Sequence, residues 1–269
     1  IANQNNHNKS FKEVSGVFIN TLHKEINIAN TAFEWEGIRW AMVMLPLPKD
    51  RIKRNLLIIH ELFHRVQPEI GFKDIKSASN NHLDSYEGRL LLKLELEALK
   101  KGLASKTKKN ILSHLKNALL IRAIRHKNDT IQKAENFLEL NEGLAEYTAL
   151  MLSGREKEEI ISHLTSSIST FYGNETFVRS FAYKTTPAYG FLTSLFEKDW
   201  HQKVTIDTNI TDYIKSKLSI NIPKNSSLDT IQPLYKYNYQ QFLSEETARE
   251  KERIRKIKET HSIIKEKGL

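Results

Sequence analysis

Strand-forming and helix-forming patterns separate along this 269-residue chain, and that separation limits the fold before any single residue is considered. Residues 1–50 carry most of the strand signal. GVFI at 16–19, INIA at 26–29 and AFEWEGIRWAMVML at 32–45 read as short strands, and Glu36-Gly37 sits where a hairpin turn would fall. LPLP at 45–48 closes the region, because proline donates no ladder hydrogen bond and restricts the residue before it.

From Asp50 the apolar spacing becomes helical. Asp50 is a candidate N-cap, and Ile52, Leu56, Ile59, Phe63 and Val66 recur at helical intervals until Pro68. A loop rich in Ser, Asn and Lys follows at 71–84. SYEGRLLLKLELEALKKGL, KKNILSHLKNALLIRAIRH and DTIQKAENFLELNEGLAEYTALML then read as three long helices, the last opened by Asp129 with Gln132 three positions on, as in a capping box. Shorter helices are expected over 156–170, 188–199 and 209–218. The tail has Ser244 as N-cap, Gly268 as stop and one narrow apolar stripe of Ile254, Ile257, His261 and Ile264, which fits a surface helix packed on the body or on a partner.

These patterns predict an α+β fold, with a small mixed β-sheet packed on the Asp50 helix and a mainly α-helical lobe after it. The expected divisions are 1–68, 69–243 and 244–269 within a single domain. No internal repeat interrupts them.

Composition removes several function classes. With no cysteine, the chain has no disulfide framework, no thiol nucleophile and no thiolate metal site, so any metal must be held by His, Asp and Glu. The net charge of +9 would suit nucleic acid, but the lysines are spread along helices and interleaved with glutamate, which reads as a solvated basic surface. No apolar run is long enough to span a bilayer. The cysteine-free composition and the start at Ile1 fit an extracytoplasmic protein, secreted or periplasmic.

Chemistry concentrates in LLIIHELFHRVQPEIG at 56–71. Side chains at i and i+4 stack on one helix face, so His60 and His64 can direct imidazole nitrogens at one ion. Glu61, turned by about 100° from His60, sits beside that ion as a candidate proton acceptor. The plainer reading is a helix that happens to carry two histidines. A metal site would need a third protein donor from elsewhere in the chain.

ELNEGLAEYT at 139–148 supplies a candidate. It resembles the third-ligand helix of the gluzincin metallopeptidases, in which the glutamate of NEG binds zinc. The resemblance implies Glu142 as third ligand, and leaves Glu146, one turn on, to accept the N–H of a ligand histidine. It also implies a zincin-like fold and a tyrosine facing the metal from a YxxG pattern. In FAYKTTPAYGFL at 181–192, Tyr183 matches that tyrosine with Thr186 where glycine stands, and Tyr189-Gly190 is a second match.

Two departures limit what carries over. The stretch 65–141 between His64 and Glu142 is far longer than in the zinc aminopeptidases and must hold two further helices. The GxMEN strand with which those enzymes hold a substrate's N-terminus is replaced by RWAMVMLPLP, so aminopeptidase activity is not implied. The resulting expectation is a zinc-dependent metallopeptidase with a peptide or protein substrate, with Glu61 as general base and Tyr183 or Tyr189 at the oxyanion. The alternatives are a catalytically silent zincin-like binding protein and a basic nucleic-acid-binding protein. His82 and Asp84, in NNHLDS, could line the cleft or bind substrate, but read more readily as a helix start with Asp84 or Ser85 as its cap, and are left outside the site.

Overall fold

The computed structural model describes residues 1–223, 227–231 and 234–266, and the expected stop at Gly268 lies outside them. Two tight turns shape the N-terminal part. Ser15-Gly16 and Glu36-Gly37 each hold positive φ at both central positions, 50° and 79° in the first and 53° and 77° in the second. That pairing marks type I′ turns, whose twist matches the strands they join. The first turn pairs β1 (Lys12–Val14) with β2 (Val17–Ile19), and the second pairs β3 (Thr31–Trp35) with β4 (Ile38–Met42).

The expected mixed sheet is therefore two separate antiparallel hairpins. INIA at 26–29 is not a strand: Ile26 donates its N–H to His23 O at 3.0 Å to close a turn, and Ile28 is exposed. The KEV of β1 carries one apolar residue and gave no strand signal.

β3 and β4 present two unlike faces. Their register sets Phe33 opposite Trp40 and Thr31 opposite Met42, and on this aromatic side Phe11 packs on Trp35 and Trp40 with ring centroids 4.8 and 5.8 Å apart. Ala32 and Arg39 lie on the other side, toward the first helix. That helix, α1 (Arg51–Val66), starts as its sequence predicts, with Asp50 accepting the Lys53 N–H at 2.7 Å. Arg39 donates to His64 O at 3.3 Å, meeting a carbonyl that the last turn of α1 leaves without a helical partner.

The helical part is built around α2 (Tyr86–Leu103), which pairs with α3 (Lys108–Arg125) and touches three of the later helices. α2 is buried on nearly all sides, and each of its fully buried leucines contributes about 1.5–3 kcal/mol of apolar burial. Four of its charges, Arg89, Lys93, Glu95 and Glu97, are buried with it and paired. Glu95 meets Arg122 at 2.7 Å, Glu97 meets Lys100 at 2.7 Å, and Lys93 meets Glu246 at 2.7 Å.

α4 (Asp129–Leu138) is capped by Asn128, whose side chain accepts the Ile131 N–H at 3.0 Å. Asn128 takes the cap because it is extended and stands one residue ahead of the expected Asp129, while Gln132 reaches Asp212 at 3.5 Å instead of closing a capping box. The helix runs on through a π turn, Glu139–Gly143, into α5 (Leu144–Leu152). α5 packs against α1, so α1 lies between the second hairpin and the helical lobe.

α6 (Lys157–Phe171) and α8 (Ile210–Lys217) fall where expected. α7 (Ala182–Ser194) begins six residues before the expected 188 and holds Pro187 inside its second turn. α9 (Tyr239–Glu266) begins five residues before Ser244, which lies within the helix, because Asn238 O already accepts the Phe242 N–H at 3.0 Å. The chain is thus α+β, with two small antiparallel hairpins and a helical majority. Among the described residues, no helix is long and apolar enough to cross a membrane.

Candidate metal centre

His60 and His64, one turn apart on α1, bring their Nε2 atoms to 3.1 Å of each other. Glu142, from the π turn, places Oε2 3.3 Å from His64 Nε2 and 3.4 Å from His60 Nε2. Among the described residues this is the one group of three such donors close enough to share an ion.

The outer nitrogens of both rings are engaged. His60 Nδ1 lies 3.1 Å from Glu146 Oε2, and His64 Nδ1 lies 2.9 Å from Gln67 Oε1. A carboxylate and an amide oxygen can only accept, so each ring donates its Nδ1–H outward and, when neutral, keeps a lone pair on Nε2 facing inward. Two such lone pairs and a carboxylate oxygen repel unless a cation lies among them. Tetrahedral donors at about 2.0–2.1 Å from zinc stand about 3.3 Å from one another, which is the spacing this triangle has. The donor set therefore fits zinc.

The local electrostatics favour a cation as well. Burial of His60 opposes protonation, but Glu142 and Glu146 outweigh it and raise its pKa to about 9. Burial would raise the Glu142 pKa, yet hydrogen bonds from His60, His64 and Tyr183 hold it well below the ordinary carboxylate range. Glu61 is buried beside these groups, and burial pushes its pKa up while the two histidines pull it partly back. Its Oε2 has no hydrogen-bond partner.

The two candidate tyrosines separate cleanly. Tyr183 stacks on the His60 ring, with centroids 5.5 Å apart and planes 8° from parallel, and its hydroxyl donates to Glu142 Oε2. Burial and the Glu142 carboxylate both raise its pKa, so its phenol stays protonated at neutral pH. Tyr189 is fully buried on a different side of α7, with the Arg122 guanidinium 4.6 Å from its ring centroid. It does not line the cavity over the triad, whereas Tyr183 does.

A cavity of about 260 Å³ opens over the triad, bordered by Asn30, Thr31, Ala32 and Arg39 from the second hairpin and by Tyr183 from α7. It adjoins a second cavity of about 390 Å³ that shares Arg39, Gln67 and Asn141 with it. A larger apolar cavity of about 640 Å³ lies on the aromatic side of β3 and β4, and no titratable side chain lines it.

Several supporting residues gave no motif signal. The π turn is closed by the Leu144 N–H donating to Glu139 O, one residue wider than an α-helical bond. Gln67 Nε2 donates to two carbonyls of this turn, Leu140 O at 3.3 Å and Asn141 O at 3.2 Å. Gln67 thus ties His64 to the turn that carries Glu142. At the other end of the turn, the Arg122 fork holds Glu139 at 2.8 and 2.9 Å. Gly143 is set by packing: a Cβ there would lie 2.2 Å from Thr186 Oγ1, so α7 can approach only a glycine. Thr186, which stands where the YxxG pattern has glycine, is the residue filling that contact.

Gln67→Ala is expected to weaken zinc binding by about 10–100-fold while leaving far-UV circular dichroism unchanged. Competition with a chelating dye measures this, and an unchanged affinity would assign the orientation of His64 to packing alone.

Comparison of the chain with protein-family models, with curated proteins and with solved structures finds no match in any of the three.

Proposed function

We propose that the protein is a zincin-like, zinc-dependent peptidase of the gluzincin type, with His60, His64 and Glu142 as metal ligands. The observation that carries this reading is the triangle of donors at 3.1–3.4 Å, with the buried, unpartnered Oε2 of Glu61 beside it. Structural ion pairs do not need two inward-facing histidine nitrogens, and a buried carboxylate oxygen without a partner costs free energy unless it has another use.

Bound zinc would supply an acidified water and polarisation of the scissile carbonyl. The protein's own residues account for the rest. Glu61 takes the proton as water attacks, helped by a burial-raised pKa, and delivers it to the leaving amine. Tyr183, kept protonated, exchanges its bond to Glu142 for one to the developing oxyanion. Glu146 and Gln67 hold the two ligand rings in the tautomer that leaves Nε2 free. The unpaired edge of β3, whose Thr31 and Ala32 border the cavity, offers backbone groups to an extended peptide.

The test is metal analysis of the purified protein together with cleavage of a peptide library, with and without a chelator. One zinc per chain and chelator-sensitive cleavage are expected, and Glu142→Ala should lose most of the metal. Full zinc occupancy in that variant would move the third-ligand role away from Glu142. Zinc without cleavage of any peptide would favour a silent binding protein on the same scaffold.

A further inference from the structure

The last helix changes character half-way along. Through Arg249 it is docked: Phe242 and Glu246 are buried, Glu246 pairs with Arg89 and Lys93 at 2.9 and 2.7 Å, and Arg249 donates to Asp84 O at 3.3 Å. From Lys251 to Lys265 every residue is exposed, so roughly 22 Å of helix runs on in solvent.

Ile254, Ile257, His261 and Ile264 follow at spacings of three, four and three, which lines them up as one stripe on this free half. The charges around the stripe are sorted. Lys251, Lys258 and Lys265 form one shoulder, and Arg253 and Lys256 lie along the other. Glu252 and Glu259 are on the far side, where both bond Arg255, and Glu250 at the base of the stripe is held by Arg253 at 2.7 Å. Ion pairs one turn apart support a solvated helix on whichever face they occur. They give no reason for three isoleucines to share one face with cations on both its shoulders.

We propose that the free half of α9 docks an amphipathic helix of a partner protein, one whose apolar seam is flanked by aspartate and glutamate. Such a partner covers the isoleucines and places its carboxylates against both basic shoulders. A second copy of this chain does not fit, because parallel or antiparallel pairing of two such stripes sets cations against cations. A bilayer surface fits less well, since the stripe has no aromatic residue and has a histidine ring within it, leaving little apolar area to insert. Recognition by a helix needs only three or four anchors at these spacings. The docked half already fixes the helix, so little ordering cost remains on binding.

Full-length protein would be titrated with a synthetic amphipathic helix carrying leucine along its seam and glutamate on both shoulders, and with the same peptide carrying lysine there. The glutamate peptide is expected to bind at least about tenfold more tightly than the lysine peptide, and more weakly as salt is raised. Ile257→Asp combined with Ile264→Asp, two exposed changes outside the docked half, should reduce that binding by about tenfold or more. No binding of the glutamate peptide, equal affinity for both peptides, or binding that survives the double change overturns the proposal. So does finding that the stripe instead drives self-association, or adhesion to phosphatidylserine vesicles, without responding to the glutamate peptide.

Discussion

Glu61→Gln is expected to keep zinc at one per chain and to lower peptide hydrolysis by about 10²–10⁴-fold, the range that a positioned general base contributes. Glutamine matches glutamate in shape and volume, so α1, His60 and His64 should be undisturbed. What it lacks is an oxygen that can take a proton. Glu61 is buried, its Oε2 has no protein partner, and burial raises its pKa toward the range where a base both accepts and returns a proton. Zinc stoichiometry, far-UV circular dichroism and kcat/KM on the best library peptide, measured on one preparation, separate the outcomes. Turnover near that of the parent with full zinc would remove Glu61 from the mechanism. Loss of zinc together with activity would instead show that Glu61 shapes the site, because its carboxylate lies in the field of both histidines.

The parts of this site that the sequence disclosed are those fixed by local rules. Asp50 and Pro68 bracket α1, and the i, i+4 spacing inside that helix determines where His60 and His64 point. The NEG segment was singled out by resemblance, while the reason for its glycine is the approach of Thr186 from α7, a contact between segments far apart in sequence. Pattern placed Tyr183 only narrowly ahead of Tyr189 because both sit on one apolar helix; the structure separates them, with Tyr183 stacked on His60 and Tyr189 packed against Arg122.

Gln67 was hidden for a related reason. It occupies a helix C-terminus, and its two donor contacts are to carbonyls of the π turn, a segment more than seventy residues away in sequence. The strands failed differently. Ile26–Ala29 has the composition of a strand, but its backbone closes a turn, whereas Lys12–Val14 has little strand character and is recruited by the Ser15-Gly16 turn. The charges of α2 were the most misleading, since Arg89, Lys93, Glu95 and Glu97 have the composition of a solvated face and are buried. Each has its partner on an element distant in sequence or one turn away.

Arg122→Met is expected to destabilise the protein by about 3–5 kcal/mol, the cost of removing one partner from a buried ionic network. The Arg122 side chain has no solvent exposure, and it bonds Glu95 at 2.7 Å, both oxygens of Glu139 at 2.8 and 2.9 Å, and Thr211 Oγ1 at 3.1 Å. Methionine fills most of the space but leaves Glu95 to Arg125 alone and Glu139 to the Thr185 hydroxyl at 2.6 Å. A loss of that size is a large fraction of the 5–15 kcal/mol typical of a folded domain, approximately. Urea unfolding of the metal-free protein, followed by circular dichroism, measures it. Arg122→Lys should fall between, since it restores the charge without the fork that holds Glu139 on both oxygens. Glu139→Gln added to Arg122→Met should recover part of the loss, because it removes one of the carboxylates left without a counter-charge. The same fork anchors the first residue of the π turn, so the folded fraction of Arg122→Met should also bind zinc more weakly than the parent. A fall in stability with unchanged zinc affinity would show that Gln67 and the Gly143–Thr186 contact hold Glu142 in place without help from beneath.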